Sequence, residues 1–210
     1  MSAARSRLWF VWGLLLVLLA AAFFLREGGK TGGDDGHAGE SGALDERWLV
    51  PAEAAELGAV EVVHEGNLHR FERDPAGVWF YHGVHAEADP QHGHTPDPML
   101  AEKIDKALIG FTRARKERRI PVSEGPAKFG VTTPQMIVLV FAKGTGQVQP
   151  LAQYAVGDQA PDHVSRYVMR LGDKEIVTIP NYHIDNLVGL IQAAAAAAAT
   201  QQPSPPPGQG

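Results

Sequence analysis

The 210-residue chain predicts an α+β fold: an N-terminal transmembrane helix, then one domain of antiparallel strands with two packed helices. Three observations carry that expectation. Leu8 to Leu25 (LWFVWGLLLVLLAAAFFL) is an apolar run without a charge. Beyond it, short β-branched and aromatic runs alternate with Gly, Asn and Asp turns, the pattern of antiparallel strands. Twice, such a group of strands is followed by apolar residues at helical spacing, which suggests two similar strand-strand-strand-helix halves without clear sequence identity.

The apolar run would make a helix of about 27 Å, against a hydrocarbon core of ~30 Å. Arg5 and Arg7 precede it, and Trp9 and Trp12 stand where an interfacial belt holds indoles. Residues 1–25 therefore read as a cytoplasmic end and a single-pass signal-anchor in the inner membrane, with the rest of the chain on the periplasmic side. A cleaved signal peptide ending at Ala20-Ala21-Ala22 is the other reading. Phe23, Phe24 and Leu25 carry the run past that site and favour retention. Both readings export the domain. Residues 26–46 are rich in Gly and acidic side chains and read as a flexible linker. Gly29-Lys30-Thr31 looks like the end of a phosphate-binding loop, but Phe24 occupies the place of that loop's first glycine.

Composition sets further limits. A net charge of −5 argues against nucleic acid as a partner, since that demands a basic face. The chain has no cysteine, which excludes disulfides, zinc–thiolate sites and cysteine nucleophiles.

The exported domain is expected over residues 47–192. Ala59–His64 and Leu68–Arg73 read as strands joined at Glu65-Gly66-Asn67, where Gly and Asn tolerate positive φ. Asp74-Pro75-Ala76-Gly77 turns the chain into a third strand, Val78–Val84, with Phe71, Trp79 and Tyr81 along one face. Glu87–Pro96 is a polar loop. Asp97 caps a helix with Pro98 at its first position and Leu100, Ile104, Ala107, Leu108 and Phe111 as its apolar stripe. Next come a strand at Gln135–Ala142 and another at Val148–Val156, whose Pro150 suggests a sheet edge. After a loop at Gly157–Asp162, a hairpin pairs Arg166–Leu171 with Lys174–Ile179 across Gly172-Asp173. Asn181 then caps a final helix carrying Ile184, Leu187, Val188 and Ile191. Residues 193–210 make an Ala-rich extension with nothing but methyl groups to pack, and a disordered Pro-rich tail.

Several of these residues fall into one pattern. Phe129-Gly130-Val131, with Pro134 three residues on, leads into an apolar strand; Gly157-Asp158 follows the next; Tyr167-Val168 lies on a third; and Ile179-Pro180 ends a short strand before the closing helix. Trp79 follows a hairpin, and an Asp precedes the first helix. Over about Trp48 to Gln192 this resembles the domain-of-unknown-function 4340 (DUF4340) family of bacterial envelope proteins. The resemblance implies a membrane-anchored α+β module, sometimes encoded beside ABC-type transport or gliding-motility components. It implies no reaction and no catalytic residue. The departure from the pattern is the loop Glu87–Pro96 with its histidines.

Two groups of residues offer sites. His82, His85, His92 and His94, with Asp89 and Asp97 nearby, are imidazole donors of the kind that bind copper, zinc or nickel. The basic run Arg113, Arg115, Lys116, Arg118 and Arg119, placed at the end of the first helix, offers a surface for acidic lipid or an acidic partner. Ser123 and Ser165 sit in no nucleophile elbow, and His163 beside Asp162 is a sequence neighbour rather than a relay. The expected function is a non-catalytic, membrane-anchored accessory or assembly subunit of a bacterial envelope complex, with transport machinery as the associated system. The alternative is a periplasmic metal-binding protein using the His82–His94 loop, and no other cofactor is expected. The partners are the bilayer, through Leu8–Leu25, and an integral membrane or envelope protein complex. That complex would be met at exposed edges such as the strand with Pro150 or the basic strip near Arg115.

Overall fold

The computed structural model describes residues 46–83, 97–144 and 149–201, with side chains to 198. The apolar run Leu8–Leu25 lies outside the described residues, as do the linker up to Asp45 and His85, His92 and His94. Among the described residues no helix is long and apolar enough to cross a membrane.

Strands β1 (Leu57–His64), β2 (Asn67–Arg73), β3 (Trp79–Gly83), β4 (Arg119–Pro121), β5 (Met136–Ala142), β6 (Ala152–Gln159), β7 (Ser165–Arg170) and β8 (Glu175–Pro180) form one antiparallel sheet. Its order is β3-β2-β1-β5-β6-β7-β8-β4. From the central β1–β5 pair the chain climbs outward in both directions, to β3 on one side and β8 on the other. Helix α1 (Pro98–Thr112) follows β3, and α2 (Tyr182–Gln201) follows β8.

Alternation of side chains across the strands decides what the helices cover. Val60, Phe71, Val138, Tyr154, Val168 and Ile179 share one face through their cross-strand pairing and are buried beneath the helices. The α1 stripe meets them as expected, with Ile104, Leu108 and Phe111 fully buried. Phe111 stands edge-on to Tyr154 with ring centroids 5.8 Å apart. Phe71 and Trp79 are buried, and Tyr81 packs against the same core. The Trp79 indole N–H donates to Asp105 Oδ1 at 3.2 Å, while the Arg73 guanidinium lies over the indole, 4.3 Å from its centre. The expected cap also forms, with Asp97 Oδ1 accepting from the Met99 and Leu100 amides at 3.0 Å.

On the opposite face a smaller cluster, Val131, Ala155 and Ile176, is covered by Val122 and Phe129 from the short 3-10 turns after β4. Nearer β1, Arg70 lies across that face, paired to Glu61 at 2.6 Å and Glu72 at 3.0 Å, its guanidinium 5.6 Å from the Phe141 ring centre.

The structure departs from the sequence reading in several places. Pro150 precedes β6, and β6 runs through the sheet interior between β5 and β7, so it offers no edge. Gly157 and Asp158 belong to that strand rather than to a loop. The β1–β2 turn puts Glu65 (φ 51°) and Gly66 (φ 79°) in the left-handed region, while Asn67 already pairs with His64. Asn181 precedes α2, but its side chain does not cap the helix; Nδ2 donates to the His163 carbonyl at 3.1 Å. The Ala-rich extension is not idle, since Ala194 is fully buried and Ala193 and Ala197 pack on the core. The basic run is not the end of a helix. Arg113 terminates α1, and the chain then continues extended into β4, a strand the sequence reading lacked.

Candidate functional site

The edge of the sheet at β4 gathers the basic residues. Thr112 ends α1, and residues 114–121 run along β8, with the Glu117 amide bonded to the Thr178 carbonyl at 2.9 Å and the Thr178 amide to the Arg118 carbonyl at 3.0 Å. The outer side of this segment is met by the chain's own entry into the domain. The Leu49 amide donates to the Ala114 carbonyl and the Lys116 amide to the Arg47 carbonyl, both at 2.8 Å, and Trp48 bridges to Arg115. Tyr154 fixes that entry segment from beneath, donating its buried hydroxyl to the Leu49 carbonyl at 3.0 Å; burial pushes the phenol's pKa well up.

The five cations differ in how they are held. Arg118 pairs with Asp162, and Arg119 reaches Glu175 at 3.3 Å and the Glu46 carbonyl at 3.1 Å. Such exposed pairs contribute about 0–1 kcal/mol each. Arg113, Arg115 and Lys116 form no ion pair among the described residues. Lys116 is half-buried, and burial followed by the neighbouring Arg119 charge pushes its ammonium below the ordinary lysine range.

Beside this strip lies a polar cluster that sequence reasoning left apart. Ser165 Oγ stands 3.1 Å from Glu117 Oε2 and 3.0 Å from Asp162 Oδ2. Asp162 Oδ1 also accepts the Val164 and Ser165 amides at 2.9 Å. The Val164 amide, joined by Ser165, holds the Asp162 carboxyl below its usual range. Ser165 is only 2% exposed. The cluster ties the β7 end to the strip before β4.

Of the four expected metal donors, His82 is on β3 with its ring 6.0 Å from that of Phe80; the other three lie outside the described residues. Two histidines the sequence reading passed over stand together on the helix-covered face. His69 Nδ1 is 2.9 Å from the Tyr81 hydroxyl, and its pKa is lowered by burial first and by His64 second. Their closeness follows from the β1–β2 register, which sets His69 opposite Val62, two residues from His64. The described residues contain no group of three or more metal-binding side chains.

The Phe129–Pro134 segment is also placed. Gly130 takes φ 71°, and a Cβ on it would stand 2.6 Å from Asp158 Cγ. A Cβ on Gly157 would stand 2.0 Å from the Phe129 carbonyl oxygen. Gln135 bridges the same junction, donating to Asp158 Oδ1 at 3.3 Å and accepting from Arg166 at 3.0 Å. Gly157 lets two backbones touch, which a side chain there would forbid, while Gly130 takes a left-handed turn and leaves room for the Asp158 carboxylate.

Residues 97–195, from the α1 cap through most of α2, match the family model described as a domain of unknown function (DUF4340). That stretch is a DUF4340 domain. The match begins at Asp97, later than the resemblance read from Trp48 onward. Within the DUF4340 stretch, Phe129-Gly130 and Gly157-Asp158 form the close backbone contact just described, and the basic strip and β4 fall inside it. No curated protein and no solved structure matches the chain.

Proposed function

We propose that this chain is a non-catalytic, membrane-anchored accessory or assembly subunit of a bacterial envelope complex, with transport machinery as the associated system. Leu8–Leu25 holds it in the inner membrane as a single-pass span, and the DUF4340 domain works on the periplasmic side. The observation that carries the reading is the β4 edge, where three cations without ion pairs among the described residues stand along the outside of the sheet. Anchoring raises the effective concentration of that surface for anything in or on the same membrane. The polar cluster at Ser165 supports a structural use of the site's polar groups, because its hydroxyl is bound to two carboxylates and buried. The test is crosslinking in native membranes followed by co-purification. A stoichiometric envelope protein trapped by the domain is the expected result; recovery as a free monomer contradicts the accessory role.

A second reading, a periplasmic copper-, zinc- or nickel-binding protein, is favoured by the His64–His69 pair. His69 lies next in β2 to Arg70, which pairs with Gly83, the last described residue before the segment holding His85, His92 and His94. Metal analysis of the full chain with His92→Ala and His94→Ala decides it. Stoichiometric metal lost on substitution supports the reading, and no bound metal at neutral pH removes it.

A further inference from the structure

The chain enters the described domain at the edge that carries its densest positive charge. Residues 113–119 hold five basic side chains and one acidic one, a local +4 in a chain of net −5. Arg119 holds the Glu46 carbonyl, the Arg47 and Leu49 backbones pair with Lys116 and Ala114, and Trp48, 36% exposed, bridges to Arg115. Twenty residues, 26–45, separate this point from Leu25. With Leu8–Leu25 in a bilayer, the reading on which this inference rests, the basic edge is where the chain coming from that anchor joins the domain.

The edge is also unsuited to strand addition. β4 has three residues, one of them Pro121, which has no amide to donate. A partner there must be met by side chains. Burial first and the Arg119 charge second lower the Lys116 pKa, with Asp173 pulling the other way and Arg170 and Glu175 contributing less. A phosphate set by Lys116 and Arg119 would relieve the repulsion between them, and Trp48 beside it is the residue type that sits at headgroup depth.

We propose that the β4 edge, through Trp48, Arg113, Arg115, Lys116 and Arg119, docks on the phosphates of anionic phospholipid in the bilayer that holds the anchor. The domain then stands edge-down on the membrane, with the β3 edge directed away from it. Juxtamembrane Lys and Arg bind anionic surfaces in this way, and salt weakens the attraction.

The absence of cysteine makes the test clean. Ser123, exposed just beyond β4, is changed to cysteine in the full chain and labelled with an environment-sensitive fluorophore. The protein is reconstituted into phosphatidylcholine liposomes with or without phosphatidylglycerol, and quenching by headgroup-depth spin-labelled lipid is read. Quenching at Ser123→Cys should rise at least about twofold with the anionic lipid and fall back in high salt. It should also be lost in Arg115→Ser with Lys116→Ser, which breaks no described ion pair. A label at Ala76→Cys, in the turn before β3, should not respond. Equal quenching with and without phosphatidylglycerol, or quenching that survives the double substitution, overturns the proposal, and an acidic protein as the true partner gives the first of these. Retention through alkaline carbonate reads the anchor separately. A retained chain with an unresponsive label sinks the docking alone, whereas a chain washed from the liposomes contradicts the anchor and the docking with it.

Discussion

The junction of residues 129–131 with Gly157-Asp158 and the strip 113–119 are both conspicuous in the sequence, yet they do opposite things. At the junction, glycine permits two backbones to touch, and Gln135 ties the Asp158 carboxylate to Arg166. Along the strip, charge is turned outward beside the chain's point of entry, and three cations have no ion pair among the described residues. The lesson is that residues equally conspicuous in the sequence serve the backbone packing in one place and face outward in another.

The largest effect that would sharpen this contrast is Gly157→Ala. Its methyl cannot coexist with the Phe129 carbonyl, and the full chain should lose roughly 3 kcal/mol or more, read from the urea midpoint. A near-neutral result would mean that the junction is not tight. Tyr154→Phe comes next. The Leu49 carbonyl would lose its buried donor, so about 1–2 kcal/mol should go, and with it the hold on the entry segment beside the strip.

A smaller effect concerns pH. His183 is 5% exposed, and burial lowers its pKa against the opposing pull of Glu117; His69 is lowered as well. Below the ordinary histidine value of about 6.5 the unfolded chain therefore binds more protons than the folded one. Stability should be complete above that pH and decline as pH falls through it toward the lowered folded values. Chemical denaturation at a series of pH values checks the slope, and His183→Gln should flatten it. The smallest effect on stability is expected for Arg115→Ser with Lys116→Ser, within about 0.5 kcal/mol. A large loss there would make the strip a structural element and erase the contrast.

Much of the fold was legible because it depends on local signals. Asp97-Pro98 and the stripe from Leu100 to Phe111 located α1, and alternation located β1, β2, β5, β7 and β8. What failed was whatever depends on distant partners. Pro150 signals an edge only if it lies within the strand, and β6 starts two residues later. β4 is three residues long and exists because β8 is beside it, so no periodicity announces it. The Ser165–Glu117 contact spans 48 positions, and no spacing in the sequence points to it. The basic run was visible as composition, but its placement on a sheet edge beside Trp48 was not. His64 and His69 went unread because neither is distinctive alone, and only the β1–β2 register brings them together.

The central claim is that the domain works outside the cytoplasm while held in the inner membrane. Single-cysteine labelling tests it most directly: cells with a permeabilised outer membrane, expressing the Ser123→Cys chain, are treated with a membrane-impermeant thiol reagent. The account predicts labelling before lysis, on a protein that stays with the membrane through carbonate. Labelling only after the inner membrane is broken would contradict it.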